Sequence, residues 1–132
     1  MTGEKAEKES IVLIAEAIAI ADVVAKKMNR EIVHVKDGPG FLVNRIWVTM
    51  ANEADWAVSY GEAKDNFVVD SAARYKLGLP MGLLEIDDVL QGGAIDTRYH
   101  VLEHFRETFG ESYRAAPLAE KAFKAGHFGK RS

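Results

Sequence analysis

The residues of this chain that could do chemistry are few, and the most informative of them lie in one short run. KDGPGFLVNR, residues 36–45, places two glycines around a proline, then an apolar pair, then Asn44 beside Arg45. Asp37 is an N-cap candidate, and Pro39 suits a first helical turn, where a missing N–H is not needed. Asn44 would then sit near exposed backbone N–H groups and the partial positive end of a helix. A neutral amide there can donate to a carbonyl and accept from a hydroxyl without adding charge, which suits a group that steadies a polar substrate. The blander reading is an asparagine that satisfies loop backbone, and chemistry alone favours it.

Two other groupings carry less. His100-Val-Leu-Glu-His104 has the HxxEH letters, and histidines four apart share a helix face that can hold one metal. That face lies opposite the apolar stripe of its helix and no third ligand is indicated, so a solvated face is expected. Glu85, Asp87 and Asp88 lie near a helix start, where the macrodipole favours acids; first-turn capping is expected there rather than acid–base work. Several kinds of machinery are missing. No GxGxxG follows a strand, and no GxxxxGK[ST] or GxSxG occurs.

These residues need elements to position them, and the pattern is mostly helical. Residues 7–28 predict a long first helix: IVLIAEAIAIADVVA is apolar most of the way round, yet Glu16 and Asp22 interrupt it short of a membrane span. Its position behind the charged EKAEKE also argues against a signal peptide. Asn29 is a plausible left-handed stop. EIVHVKD is rich in β-branched residues and reads as extended, with no partner strand in the sequence. A second helix is expected over residues 39–60, burying Val43, Ile46, Trp47, Met50, Ala54, Ala57 and Val58. Further helices are expected over residues 62–76 and 81–90, then from Asp96 to Gly110 with a Val101/Leu102/Phe105/Phe109 stripe, and last over residues 117–126. The fold class expected is all-α, a compact domain of about five to six helices with antiparallel neighbours.

Composition sets the outer bounds. The chain has 132 residues, 48% hydrophobic and 28% charged, and a formal net charge of −3, so one modest core is affordable and nothing suggests nucleic-acid binding. With no cysteine, neither a disulfide nor a Cys-ligated zinc site can form, which fits a reducing, cytoplasmic setting.

KDGPGFLVNR resembles the signature of the C-terminal domain of the L-3-hydroxyacyl-CoA dehydrogenases, close to K-D-x-P-G-F-x-x-N-R. Other stretches resemble that family in the right order. Asn52-Glu53-Ala54 is similar to its "NEA", Asp70 to the aspartate of its "ID", and GLPMG at residues 78–82 to its "GxPMGP". Leu84, Glu85 and Asp87 are similar to its "FELxD", and Ile95-Asp96-Thr97 to its "LDT". Pro117-Leu118 and GHFGK at residues 126–130 are similar to its closing segment. The family-like part is residues 31–132, with residues 1–30 a long apolar N-terminal helix. The sequence departs from the pattern at Leu83, where the family has proline, and in extra residues (DVLQGG) before Ile95. It also stops inside the family's closing motif.

The resemblance implies a reaction, the NAD-dependent oxidation of a 3-hydroxyacyl-CoA to a 3-ketoacyl-CoA in fatty-acid β-oxidation, or its reverse. It implies that the glycine loop, the catalytic histidine and its orienting glutamate lie on a nucleotide-binding domain absent from this sequence, which also holds most of the NAD. It assigns Asn44 to the substrate pocket, holding the substrate oxygen, and Arg131 to the place of a lysine that approaches the cofactor. Arginine keeps that charge but changes reach and geometry. It further implies a homodimer. Two expectations follow: a domain that is inactive alone but supplies part of an acyl-CoA site, or a non-catalytic dimerisation module of a multifunctional fatty-acid oxidation protein.

Overall fold

Asn29 takes a left-handed conformation, φ 54°, and ends the first helix as its residue type predicts. The computed structural model describes residues 2–89 and 94–127, with side chains from Ile11 onward. The chain divides into two compact units, Met1–Val35 and Lys36–Ser132. The first unit is α1 (Thr2–Lys27) followed by residues without regular structure; His34 Nε2 lies 3.3 Å from the Asp22 carboxylate within it. The β-branched EIVHVKD stretch forms no strand here. A strand needs a neighbour to take its backbone bonds.

The second unit holds α2 (Val43–Ser59), α3 (Asn66–Tyr75), α4 (Glu85–Val89), α5 (Ala94–Phe109), a single 3-10 turn (Glu111–Tyr113) and α6 (Pro117–Lys124). With α1 that makes six α-helices and no strand among the described residues, the all-α class expected. Several helix starts differ from expectation: α1 begins early, at Thr2 rather than residue 7, α4 begins late, at Glu85 rather than residue 81, and α2 and α3 also begin late. The second helix starts four residues late, because Gly40 (φ 70°) and Phe41 (φ 49°) are both left-handed and neither can continue a right-handed helix. Asp37 therefore caps nothing on α2. The third helix starts at Asn66 rather than residue 62, because the Asp65 side chain accepts the Val68 N–H at 3.0 Å and fixes the entry.

The core has two centres. One gathers Ala51, Ala54, Ala73, Leu83 and Leu84 between α2, α3 and the entry to α4. The other gathers Val48, Leu102, Phe105 and Ala115 between α2, α5 and the approach to α6. The expected stripe on α5 is present: Leu102 and Phe105 are fully buried, while Val101 and Phe109 pack against them half-exposed. The expected buried face of α2 is present only in part: Ala54 is buried and Trp47 and Met50 pack half-buried against the core. Val48, Ala51, Asn52, Ala54 and Asp55 are buried, whereas Val43 and Ile46 are 72% and 55% exposed. The helix turns its small and polar residues inward because Asn52 and Asp55 find buried partners, and small alanines let neighbouring helices approach closely.

Candidate functional site

The motif around Asn44 is held from below by aromatic side chains. Gly40 lies so close to the Phe105 ring that a Cβ there would collide with it, and its positive φ is one glycine adopts without strain. Both requirements fall on one residue, which explains the second glycine of DGPGF. Phe41 N–H donates to Gly38 at 3.1 Å and Arg45 N–H to Gly40 at 3.2 Å, so the loop closes on itself before α2 begins. The Arg45 guanidinium stands 4.2 Å from the centroid of the Phe109 ring, a cation–π contact that ties the first turn of α2 to α5. Phe105, Phe109 and Tyr113 contact one another with centroids 5.5 to 5.9 Å apart.

On this platform Asn44 is exposed, in the first turn of α2. No side chain caps that helix, and of its first-turn N–H groups those of Arg45 and Ile46 donate to the Gly40 and Leu42 carbonyls. The Asn44 amide and the positive end of a 17-residue helix therefore share one exposed corner. That corner can hydrogen-bond a polarised oxygen. Arg131 lies outside the described residues, as do Leu90, Gln91, Gly92 and Gly93 of the DVLQGG stretch.

Along α2 from Arg45 runs an open groove of about 610 Å³, with Ile46, Thr49, Met50, Glu53, Val69 and Leu83 among its lining residues. Asn44 is not among its lining residues. Ile46 and Met50, both expected to be buried, line it.

The NEA asparagine is structural. Asn52 is buried; its Nδ2 donates to the Arg114 carbonyl at 3.0 Å and its Oδ1 accepts the Ala116 N–H at 2.9 Å. It fastens the chain entering α6 to the middle of α2. The GLPMG turn has an equally specific cause. Gly82 rests on the Asp70 side chain, where a Cβ would overlap the carboxyl, and Asp70 Oδ1 accepts the Leu84 N–H at 2.8 Å.

The acids of α4 do more than cap. Glu85 Oε2 accepts the Gly82 N–H at 3.0 Å and is paired with Arg74 of α3. Asp87 is buried and paired with Arg98 of α5 at 2.6 Å, and Arg98 also pairs with Asp55 of α2 at 2.5 Å. Burial raises the carboxyls of Asp55 and Asp87 above the ordinary range despite Arg98, Asp87 to about 6. Sequence reasoning missed this triad: Asp55 and Arg98 are 43 positions apart and belong to no shared motif. The only signal was Asp55 itself, an acid within an otherwise apolar and small helix face. His100 and His104 are both exposed, and His100 Nε2 lies 3.2 Å from Asp96 on the same helix. Among the described residues no group of three His, Cys, Asp or Glu is placed to hold a metal ion.

Comparison with known proteins identifies the family and the fold. A family model described as "3-hydroxyacyl-CoA dehydrogenase, C-terminal domain" matches residues 40–132. A probable 3-hydroxybutyryl-CoA dehydrogenase of Bacillus subtilis is 37% identical over 110 residues, covering 83% of this chain and 37% of the relative. One from Deinococcus radiodurans is 31% identical over 118 residues, covering 89% and 41%. Among solved structures, (S)-3-hydroxybutyryl-CoA dehydrogenase PaaH1 from Ralstonia eutropha superposes with a TM-score of 0.74 at 31% identity, covering 86% of this chain and 39% of that one. FadB2 from M. tuberculosis gives a TM-score of 0.71 at 29% identity, covering 81% and 36%. The chain thus spans about two fifths of the length of these relatives. It belongs to the 3-hydroxyacyl-CoA dehydrogenase C-terminal domain family.

Proposed function

We propose that this chain is the substrate-facing helical part of an NAD-dependent 3-hydroxyacyl-CoA dehydrogenase of fatty-acid β-oxidation, working in the cytoplasm. The observation that carries the reading is the exposed amide of Asn44 at the uncapped start of α2, inside the stretch that resembles the family signature. Its role is positional. Nδ2–H donates to the C3 oxygen of the acyl chain and fixes which face of that carbon is presented for oxidation. The described residues do not fit NAD by themselves, since they offer no strand–glycine loop–helix cradle for a pyrophosphate. We therefore assign NAD mainly to a nucleotide-binding domain that pairs with this one, with Arg131 the cation this chain contributes towards it.

Two experiments test the reading. The purified chain, given NAD and 3-hydroxyacyl-CoA substrates, produces no NADH; turnover by clean protein would show that the catalytic base is here. A chimaera joins the preceding portion of the Bacillus subtilis relative to the helical unit of this chain. In it, Asn44→Ala lowers kcat about a hundredfold while the fold is kept. An unchanged kcat removes Asn44 from the site.

A second reading, a non-catalytic dimerisation module of a multifunctional fatty-acid oxidation protein, draws on a different observation. Ile11, Val12, Leu13, Ile14, Ile18 and Ile20 of α1 are each 45 to 66% exposed. So much apolar surface on one helix favours association. Both readings hold together if the homodimer is also the enzyme.

A further inference from the structure

Where α2, α4 and α5 meet, a single guanidinium serves two carboxylates. Arg98 donates from Nη1 to Asp55 Oδ2 at 2.5 Å and from Nη2 to Asp87 Oδ2 at 2.6 Å. The three side chains are 2 to 6% exposed. Two negative charges against one positive leave a net charge in a site with little water to spread it. Among the described residues, the further charges that act on the two acids are negative. Asp88 on α4 and Asp70 on α3 add negative potential to Asp87 and Asp55 respectively. Among the described residues, two buried atoms of the cluster, Asp87 Oδ1 and Arg98 Nε, have no hydrogen-bond partner.

A proton on Asp87 Oδ1 would remove the surplus charge and break no existing bond, because Oδ2 is the atom that accepts from Arg98. We propose that Asp87 is a proton-operated clasp, seating α4 firmly on α2 and α5 when neutral and loosening that seat when ionised. The consequence reaches the open groove. Leu83 and Leu84 at the entry to α4 pack on Ala51, Ala54 and Ala73, and Leu83 forms part of the groove wall. The device rests only on packing in the helical unit and does not depend on the reaction assigned above.

Burial raises the Asp87 carboxyl to about 6 and outweighs the pull of Arg98; the charges of Asp55 and Asp88 add to the rise. Asp55 is raised by the same burial, and its charge in turn raises Asp87. A folded-state value above the unfolded one means that the stabilisation is full below the unfolded value of 3.8 and is lost as pH rises through about 6. This unit therefore tightens on mild acidification.

Asp87→Asn keeps an oxygen for Arg98 and cannot ionise. Urea midpoints of the full chain are measured from about pH 5 to about pH 8 for both proteins. The wild-type midpoint is expected to fall as pH rises through about 6, and the variant to show no such fall and to exceed wild type at the alkaline end. Identical pH profiles overturn the proposal. A measurement that needs no variant is the carboxyl 13C titration of Asp87 in the folded chain. A midpoint near 6 supports the clasp, and one in the ordinary aspartate range sinks it. Asp55→Asn should move the Asp87 midpoint to lower pH, and an unmoved midpoint disproves the coupling. Hydrogen exchange of α4 amides, corrected for the intrinsic rate, should quicken as pH rises through about 6 and then level off, in wild type alone. Equal protection throughout overturns the link to α4.

Discussion

Gly40 and Asn52 show how single residues hold this unit together. Gly40 meets two demands at once, a positive φ and contact with Phe105. Gly40→Ala should therefore cost about 2 kcal/mol or more, read from chemical denaturation, and it should disturb the amide resonance of Asn44. Asn52→Leu removes two bonds to the chain before α6 and leaves the Ala116 N–H and Arg114 carbonyl without their partner. Its cost should be about 2 to 4 kcal/mol, since an orphaned buried group loses more than the bond that served it. Neither role could be read from the letters. GPG announces a turn, but not which ring lies beneath it. Asn in NEA matches a family pattern, but its partner atoms lie 62 and 64 positions away.

Helices were legible because their signals are local. Asn29, Gly61, Gly78, Gly110 and Gly126 all adopt positive φ where the pattern predicts stops. The α5 stripe follows from period alone, and Leu102→Ala should cost about 3 kcal/mol, measured by denaturant unfolding, because Leu102 is fully buried at the centre of one core cluster. Helix faces were legible only where apolar residues were the best candidates for burial. On α2 the large apolar residues were assigned inward; Trp47 and Met50 do pack on the core, but Val43 and Ile46 stay exposed and the structure buries Asn52 and Asp55. A hydrophobicity pattern cannot anticipate that choice, because it depends on the groups other helices bring to meet those polar atoms. The early start expected for α2 has a comparable cause. Proline at a first turn is a sound local signal, but the following two residues are left-handed.

At the scale of the molecule, the division at Lys36 makes its own claim. A chain limited to residues 36–132 should unfold cooperatively with a midpoint close to that of the whole, since both core clusters lie within it. Self-association should follow the other unit: sedimentation at micromolar concentration should show a dimer or larger for the whole chain and a smaller tendency once α1 is removed. A monomer in both cases would dismiss the apolar helix as an association surface. Among the described residues no helix is long and apolar enough to cross a membrane.

The all-α class, the helix stops and the placement of Asn44 near the start of a helix were all written in the sequence, because each depends on neighbours a few positions away. The Arg98 clasp, the inward face of α2 and the groove beside Asn44 were decided only when distant helices packed. Burial and ion pairing are properties of a point in space, and residues 43 positions apart reach one point only through the fold.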